Sequence, residues 1–356
     1  MRADCFLILP LMARALALPK GRLVVGYATS RSLREDSVVK AVEHGVNVVI
    51  FAFAHLELDG DGRPRVAPTF DVDAARDALA RARAHGDVAA LCAFGGWNGP
   101  HPSTELSGAA WYDCWKAWND DLGGLFDGVD WDLEGHDDPA APTTALGAAT
   151  AALVADFSKK AKADAYAVFL APAESYLDAA SPAYAEALNN EPLAAWDAAT
   201  TPGFPAAGFP YAGRNAYAAV VDRAGVETFD LISVQLYEGY SRACHATTVG
   251  GASLADYVAA AARALARGFP VDLPGGRRTL AIPPERLAFG FANGWADGEK
   301  FLRADPADVA AAFRALAAED LEPRGVMFWV IDEEGADGRP YFARDLARAF
   351  AGDGEL

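Results

Sequence analysis

Asp130, Asp132 and Glu134 recur at a spacing of two within Gly128-Val129-Asp130-Trp131-Asp132-Leu133-Glu134-Gly135. In an extended strand alternate residues share a face, so the three carboxyls form a row with successive members about 7 Å apart. Val129, Trp131 and Leu133 occupy the opposite face. If that apolar face packs against helices, the acids point inward. Buried like charges raise one another's pKa, so at least one carboxyl should be protonated near neutrality. A protonated carboxyl beside an ionised one is the requirement for general acid catalysis at a glycosidic bond. The same triplet could hold a hard divalent cation, or be a plain acidic strand end. His136 follows the row, but one histidine does not complete a metal set.

The elements that must position this row are legible as strand-like runs. They are Leu23–Ala28, Val46–Ala54, Val88–Phe94, Gly128–Leu133, Ala165–Ala171, Leu231–Tyr237, Leu287–Ala292 and Val326–Ile331. Several are apolar almost throughout, as strands buried on both faces of a parallel sheet are. Helical stretches lie between them. Ser32 is placed to cap a helix that stops before Gly45, and Asp71 or Asp73 one that stops before Gly86. Ser253 precedes an amphipathic stretch that ends at Gly268, and Pro306 sits at a first-turn position. Eight strands alternating with helices predict a (β/α)8 TIM barrel. No Gly-x-Gly-x-x-Gly follows the first strand, which argues against a dinucleotide-binding sheet. Two connections are long, Leu177–Phe229 and Gly239–Arg286, and such loops shape a cleft when they lie on the active face. Asp59-Gly60-Asp61-Gly62 lacks the later ligands of a calcium loop and reads as a tight turn.

Acidic residues outnumber basic ones 49 to 31 over 356 residues, a net charge of -18. Such a chain repels phosphate backbones, so no nucleic-acid partner is expected. No later segment reads as membrane-spanning. Arg2, the apolar run Cys5–Met12 and Ala15-Leu16-Ala17 have the order of a secretory signal peptide. Residues 1–17 are therefore expected to be a leader, residues 18–356 a single catalytic barrel, and the protein to be secreted. Cys92, Cys114 and Cys244 would then remain, an odd set that allows at most one bridge.

Asp127-x-x-Asp130-x-Asp132-x-Glu134 resembles the active-site signature of glycoside hydrolase family 18, the chitinases and related endo-β-N-acetylglucosaminidases. Other segments agree in order. Leu91-Cys92-Ala93-Phe94-Gly95-Gly96 resembles the family's Ser-x-Gly-Gly motif, with Ala93 where Ser is usual. Phe51-Ala52-Phe53-Ala54, Ala171-Pro172-Ala173-Glu174, Gln235-Leu236-Tyr237 and Gly325-Val326-Met327-Phe328-Trp329 are similar to its second, fifth, sixth and eighth strands.

The resemblance implies a retaining mechanism assisted by the substrate, with no enzyme nucleophile. Glu134 would protonate the leaving oxygen while the sugar's own acetamido carbonyl attacks the anomeric carbon. Asp132 would orient the acetamido nitrogen, Asp130 would share the proton of Asp132, and Tyr237 would hydrogen-bond the acetamido carbonyl. Trp329 would form the floor beneath the sugar. Gln235, Tyr27, Trp97 and Glu238 are the further substrate-binding candidates, and Asp127, Gly95 and Gly96 belong to the structural motif. No metal and no cofactor is implied. The expected partner is an N-acetylglucosamine-containing oligo- or polysaccharide, either chitin or the chitobiose core of an N-glycan. A non-catalytic chitin-binding lectin is the rival from another class. The stretch between Ala292 and Val326 is too short for the α+β insertion of many chitinases, so a compact barrel with an open groove is expected.

Overall fold

The computed structural model describes residues 18–34, 36–189, 214–248, 250–299 and 301–351. The expected leader, residues 1–17, lies outside the described residues. The first half runs β1 (Leu23–Ala28), α1 (Ser37–Glu43), β2 (Val48–Leu58), β3 (Pro64–Pro68), α2 (Val72–Ala82), β4 (Ala89–Gly96), α3 (Gly108–Asp121), β5 (Gly128–Leu133) and α4 (Ala148–Ala163). The second runs β6 (Ala167–Leu170), α5 (Ala218–Ala224), β7 (Leu231–Gln235), α6 (Arg242–Thr248), α7 (Leu254–Arg267), β8 (Phe269–Leu273), β9 (Gly276–Leu280), β10 (Leu287–Ala292), α8 (Pro306–Ala317), β11 (Gly325–Trp329) and α9 (Phe342–Ala351).

Eight of the strands pair in parallel in the order β1-β11-β10-β7-β6-β5-β4-β2, and a β1–β2 pairing closes the ring. The protein is thus a (β/α)8 barrel, and its barrel strands are the eight apolar runs of the sequence. Leu23–Ala28, Gly128–Leu133 and Leu287–Ala292 match to the residue. Strand parity sorts the core into two layers. Val25, Ile50, Leu91, Phe169, Leu231 and Met327 fill the barrel interior. Val49, Phe51, Val129, Trp131, Val234 and Phe289 belong to the larger layer between strands and helices. Trp131 illustrates the outer layer: its ring lies 5.0 Å from Phe157 of α4, and its indole N–H donates to Ser158 Oγ at 3.1 Å.

The caps follow the expected chemistry at three helices and depart from it at one. Asp71 accepts from the amides of Asp73 and Ala74, Ser253 from that of Asp256, and Pro306 opens α8 behind Asp305. Ser32 does not cap α1. Asp36 is the N-cap residue of that helix, in a left-handed conformation and with no side-chain cap bond, while the Ser32 hydroxyl bonds Asp332.

Two hairpins were not expected. β3 returns antiparallel along the extension of β2, and Asp59 Oδ1 accepts from the amides of Asp61 and Arg63 at the turn. Thus Asp59-Gly60-Asp61-Gly62 is a turn. Among the described residues β8 and β9 pair only with each other, across Pro274 and Gly275, a turn signal inside the long connection Gly239–Arg286. Part of the other long connection, residues 190–213, lies outside the described residues. Between β10 and β11, α8 is the sole helix among the described residues, with no added strand. No two of Cys92, Cys114 and Cys244 are joined by a disulfide, so the permitted bridge does not form among them. Among the described residues no helix is long and apolar enough to cross a membrane.

Candidate active site

The acids of β5 point into the barrel, as parity requires. Asp130, Asp132 and Glu134 are 1%, 3% and 6% exposed, at the carboxyl ends of the strands. Tyr27, at the end of β1, donates its hydroxyl to Asp130 Oδ2 at 2.6 Å. Gln235, at the end of β7, donates Nε2 to Asp132 Oδ1 at 2.8 Å and to the Ala171 carbonyl at 2.7 Å. Asp132 and Glu134 project from the same face of β5, so the charge of one disfavours ionisation of the other. Burial pushes all three acids up, Asp130 to about 7. The charge of Glu134 and then of Asp130 adds to the rise at Asp132. Among the described residues no group of three or more His, Cys, Asp or Glu is placed to hold a metal ion.

The glycines of β4 make room for this row. Gly95 has φ +105°, and a Cβ there would lie 2.3 Å from the Asp132 carbonyl oxygen; Gly96 has φ +83°, with the Phe53 ring 2.5 Å from its would-be Cβ. Ala93 stands opposite Asp130 in the β4–β5 register, inside the barrel. Asp130 Oδ1 is buried and has no hydrogen-bond donor among the described residues, so the methyl of Ala93 lies where a hydroxyl could have served it.

Asp127 does not join the row. It sits at the opposite end of β5, where it accepts from Arg83 Nη2 at 2.6 Å and from the Ala90 amide at 2.9 Å. Its role is to tie β5 to β4 and α2.

Aromatic residues wall the mouth. Trp329, at the end of β11, is partly exposed, with Tyr27 at 5.5 Å and Phe53 stacked at 5.9 Å. Tyr237 is 5% exposed and packs edge-on against Trp295 at 6.1 Å. Trp295 donates its indole N–H to the Trp329 carbonyl at 2.7 Å. Trp97 is 40% exposed on the rim, and its indole N–H bonds Asp137 at 2.9 Å. Glu238 is partly exposed; burial and then the charge of Glu134 push its carboxyl up. The structure therefore brings together every candidate except Asp127. It places Tyr27 and Gln235 behind the acids rather than on an open wall.

Sequence reasoning missed Phe53 and Trp295. Phe53 follows a register shift between Phe51 and Ala54, which turns it inward against the alternation of its strand. Trp295 lies in the loop after β10, where no period assigns a face. The Asn293-Gly294-Trp295 turn marks the loop but not the direction of the ring.

No protein-family model and no curated protein sequence matches the chain. Solved structures do. A family 18 chitinase from Chromobacterium violaceum shares 20% identity at a TM-score of 0.61, covering 96% of this chain and 86% of that one. A family 18 chitinase from Cycas revoluta, solved with allosamidin, shares 13% identity at 0.53, covering 92% and 100%. A xylanase and alpha-amylase inhibitor protein from Scadoxus multiflorus shares 15% identity at 0.54, covering 92% and 98%. The fold of this chain is the one these chitinases and this inhibitor share.

Proposed function

We propose that this chain is a glycoside hydrolase of family 18 that cleaves β-1,4 linkages between N-acetylglucosamine residues with retention, assisted by the substrate. The observation that carries the proposal is the row Asp130–Asp132–Glu134 at the barrel mouth, buried, on one strand face and raised in pKa. A fold that serves chitinases and an inhibitor alike does not decide activity; the acid row is what supports it.

Glu134 is the general acid. Its raised carboxyl keeps a proton at a pH where an ordinary glutamate has lost it. In this reading the acetamido oxygen of the sugar attacks the anomeric carbon and the glycosidic bond breaks. The leaving oxygen takes the Glu134 proton. Positive charge appears on the acetamido nitrogen, and Asp132 turns to meet it. Asp130 takes up the charge balance behind Asp132, and Tyr27 and Gln235 hold these two acids. Tyr237 hydrogen-bonds the acetamido oxygen. Water then opens the cyclic intermediate, and Glu134 returns as the base. Each contact strengthens as charge develops, which is where binding lowers the barrier. Trp329 offers an indole face to the C–H face of the sugar. Trp97 supplies a second plate on the rim. A secretory leader in residues 1–17 would suit an extracellular polymer.

The test is an incubation with chitohexaose and, separately, a high-mannose glycopeptide, read by mass spectrometry. The proposal expects shorter chitooligomers from the first and none from Glu134→Gln. Cleavage of the glycopeptide alone would move the substrate to the N-glycan core. Binding without cleavage of either would make the protein a lectin.

A further inference from the structure

β5 loses a neighbour where it matters most. The last rung of the β5–β6 ladder is the Ala171 amide on the Trp131 carbonyl, at 2.9 Å. β6 ends at Leu170, and the chain then turns away through Pro172 into a short 3₁₀ turn at Glu174–Tyr176. In a strand, backbone groups alternate between the two edges. Trp131 and Leu133 therefore present their amides and carbonyls to the β6 side, and beyond Trp131 no strand among the described residues receives them, while the Gly135 carbonyl accepts from the Asn98 amide on the β4 side at 3.1 Å. A buried amide left so is costly.

A side chain receives them instead. The Leu133 amide donates to the Tyr217 hydroxyl at 2.6 Å, and that hydroxyl donates to the Leu133 carbonyl at 3.0 Å. One phenol thus makes both bonds of the absent rung. Tyr217 is fully buried at the start of α5, and burial holds its hydroxyl protonated. Its ring stacks on Tyr176 at 6.2 Å and 4°, and its amide donates to the Tyr176 carbonyl at 3.1 Å. The Tyr176 oxygen in turn lies against the Gly135 amide, the next group on the same edge. The pair continues the ladder from a connection that is not a strand.

Glu134 is the residue between Leu133 and Gly135. Its own carbonyl is met from the β4 side by His101 Nε2 at 3.1 Å. We infer that Tyr217 is a positioning residue for Glu134, standing in for the strand partner that β5 lacks and fixing the backbone from which the acid projects. The inference rests on the proposed hydrolase reading for its kinetic consequence only.

The test is Tyr217→Phe in the full chain, with Tyr176→Phe as a second variant if the first does not fold. Three quantities are measured: exchange of the Leu133 amide, the carboxyl titration of Glu134 by carbon NMR, and kcat and KM on chitohexaose. Leu133 exchange should quicken about tenfold, and Glu134 should titrate lower as the loosened strand end admits water. kcat should fall on the order of 10- to 100-fold with KM within about twofold. Tyr176→Phe should move the same quantities in the same directions by less. A lowered melting point with kcat and the Glu134 titration unchanged would overturn the inference and leave Tyr217 a packing residue. If the unaltered protein cleaves neither substrate, the hydrolase reading fails alone, and the exchange and titration still decide whether Tyr217 holds Glu134.

Discussion

The two ends of β5 carry the same residue types in opposite circumstances. Asp127 enters the strand bound to a guanidinium and a backbone amide, joining three elements. Asp130, Asp132 and Glu134 leave it with a phenol, a carboxamide and each other as partners. The first arrangement ties β5 to β4 and α2 and stabilises the fold. The second penalises ionisation and stores protons at the mouth. One strand thus has an ion-paired foot and a carboxyl-lined head, and the head lies at the carboxyl end, the face where barrel enzymes carry their chemistry. Neither the chemical type of the acid nor its burial separates the roles; what separates them is the charge of the partner.

The comparison breaks most visibly at Glu134. Glu134→Gln should lower kcat by about 10³-fold while retaining oligosaccharide binding, because only proton donation is removed. Steady-state kinetics beside a binding isotherm checks this. At the foot, Asp127→Ala should leave kcat within about twofold and cost about 2 kcal/mol in denaturant unfolding. That figure is below the range for fully buried pairs because the Arg83 side chain is 29% exposed.

A smaller effect distinguishes the head by its sign. Asp130 ionises in its ordinary range, near 4, in the unfolded chain, and at about 7 in the fold. Between those values the folded state holds the extra proton, so stability falls as pH rises through that window. Asp130→Asn has no charge to bury. Its melting temperature should gain on that of the unaltered protein as pH rises through this window, and the two should converge below it. An advantage that grew towards low pH would contradict the assignment. The smallest effect is expected from Ala93→Ser. A hydroxyl beside the unserved Asp130 Oδ1 should lower the Asp130 carboxyl by about one pH unit, readable by carbon NMR titration.

The acid row, the barrel and the bounds of three of its strands were legible because each rests on a period. Alternation placed Asp130 against Trp131 and Gln235 beside Tyr237, and the closed sheet preserved it. What was not legible rests on places where the period breaks. Phe53 turns inward at a shift of register. Ser32 was read as a cap because its type fits one, but it bonds Asp332 from the far end of the chain. The hairpin of β8 and β9 was hidden inside a long connection despite its Pro-Gly-Gly turn. Tyr217 and Tyr176 acquire their meaning only when β6 is seen to end early, which no local pattern announces.

The central claim is that Glu134 delivers its proton while the sugar's acetamido group, rather than a water, attacks first. Proton NMR of chitohexaose during the first minutes of cleavage tests it most directly. The account predicts that the newly formed reducing end appears as the β-anomer and relaxes later to the mixture, with no such signal from Glu134→Gln. A first product in the α-anomer, or unchanged cleavage by Glu134→Gln, would contradict it.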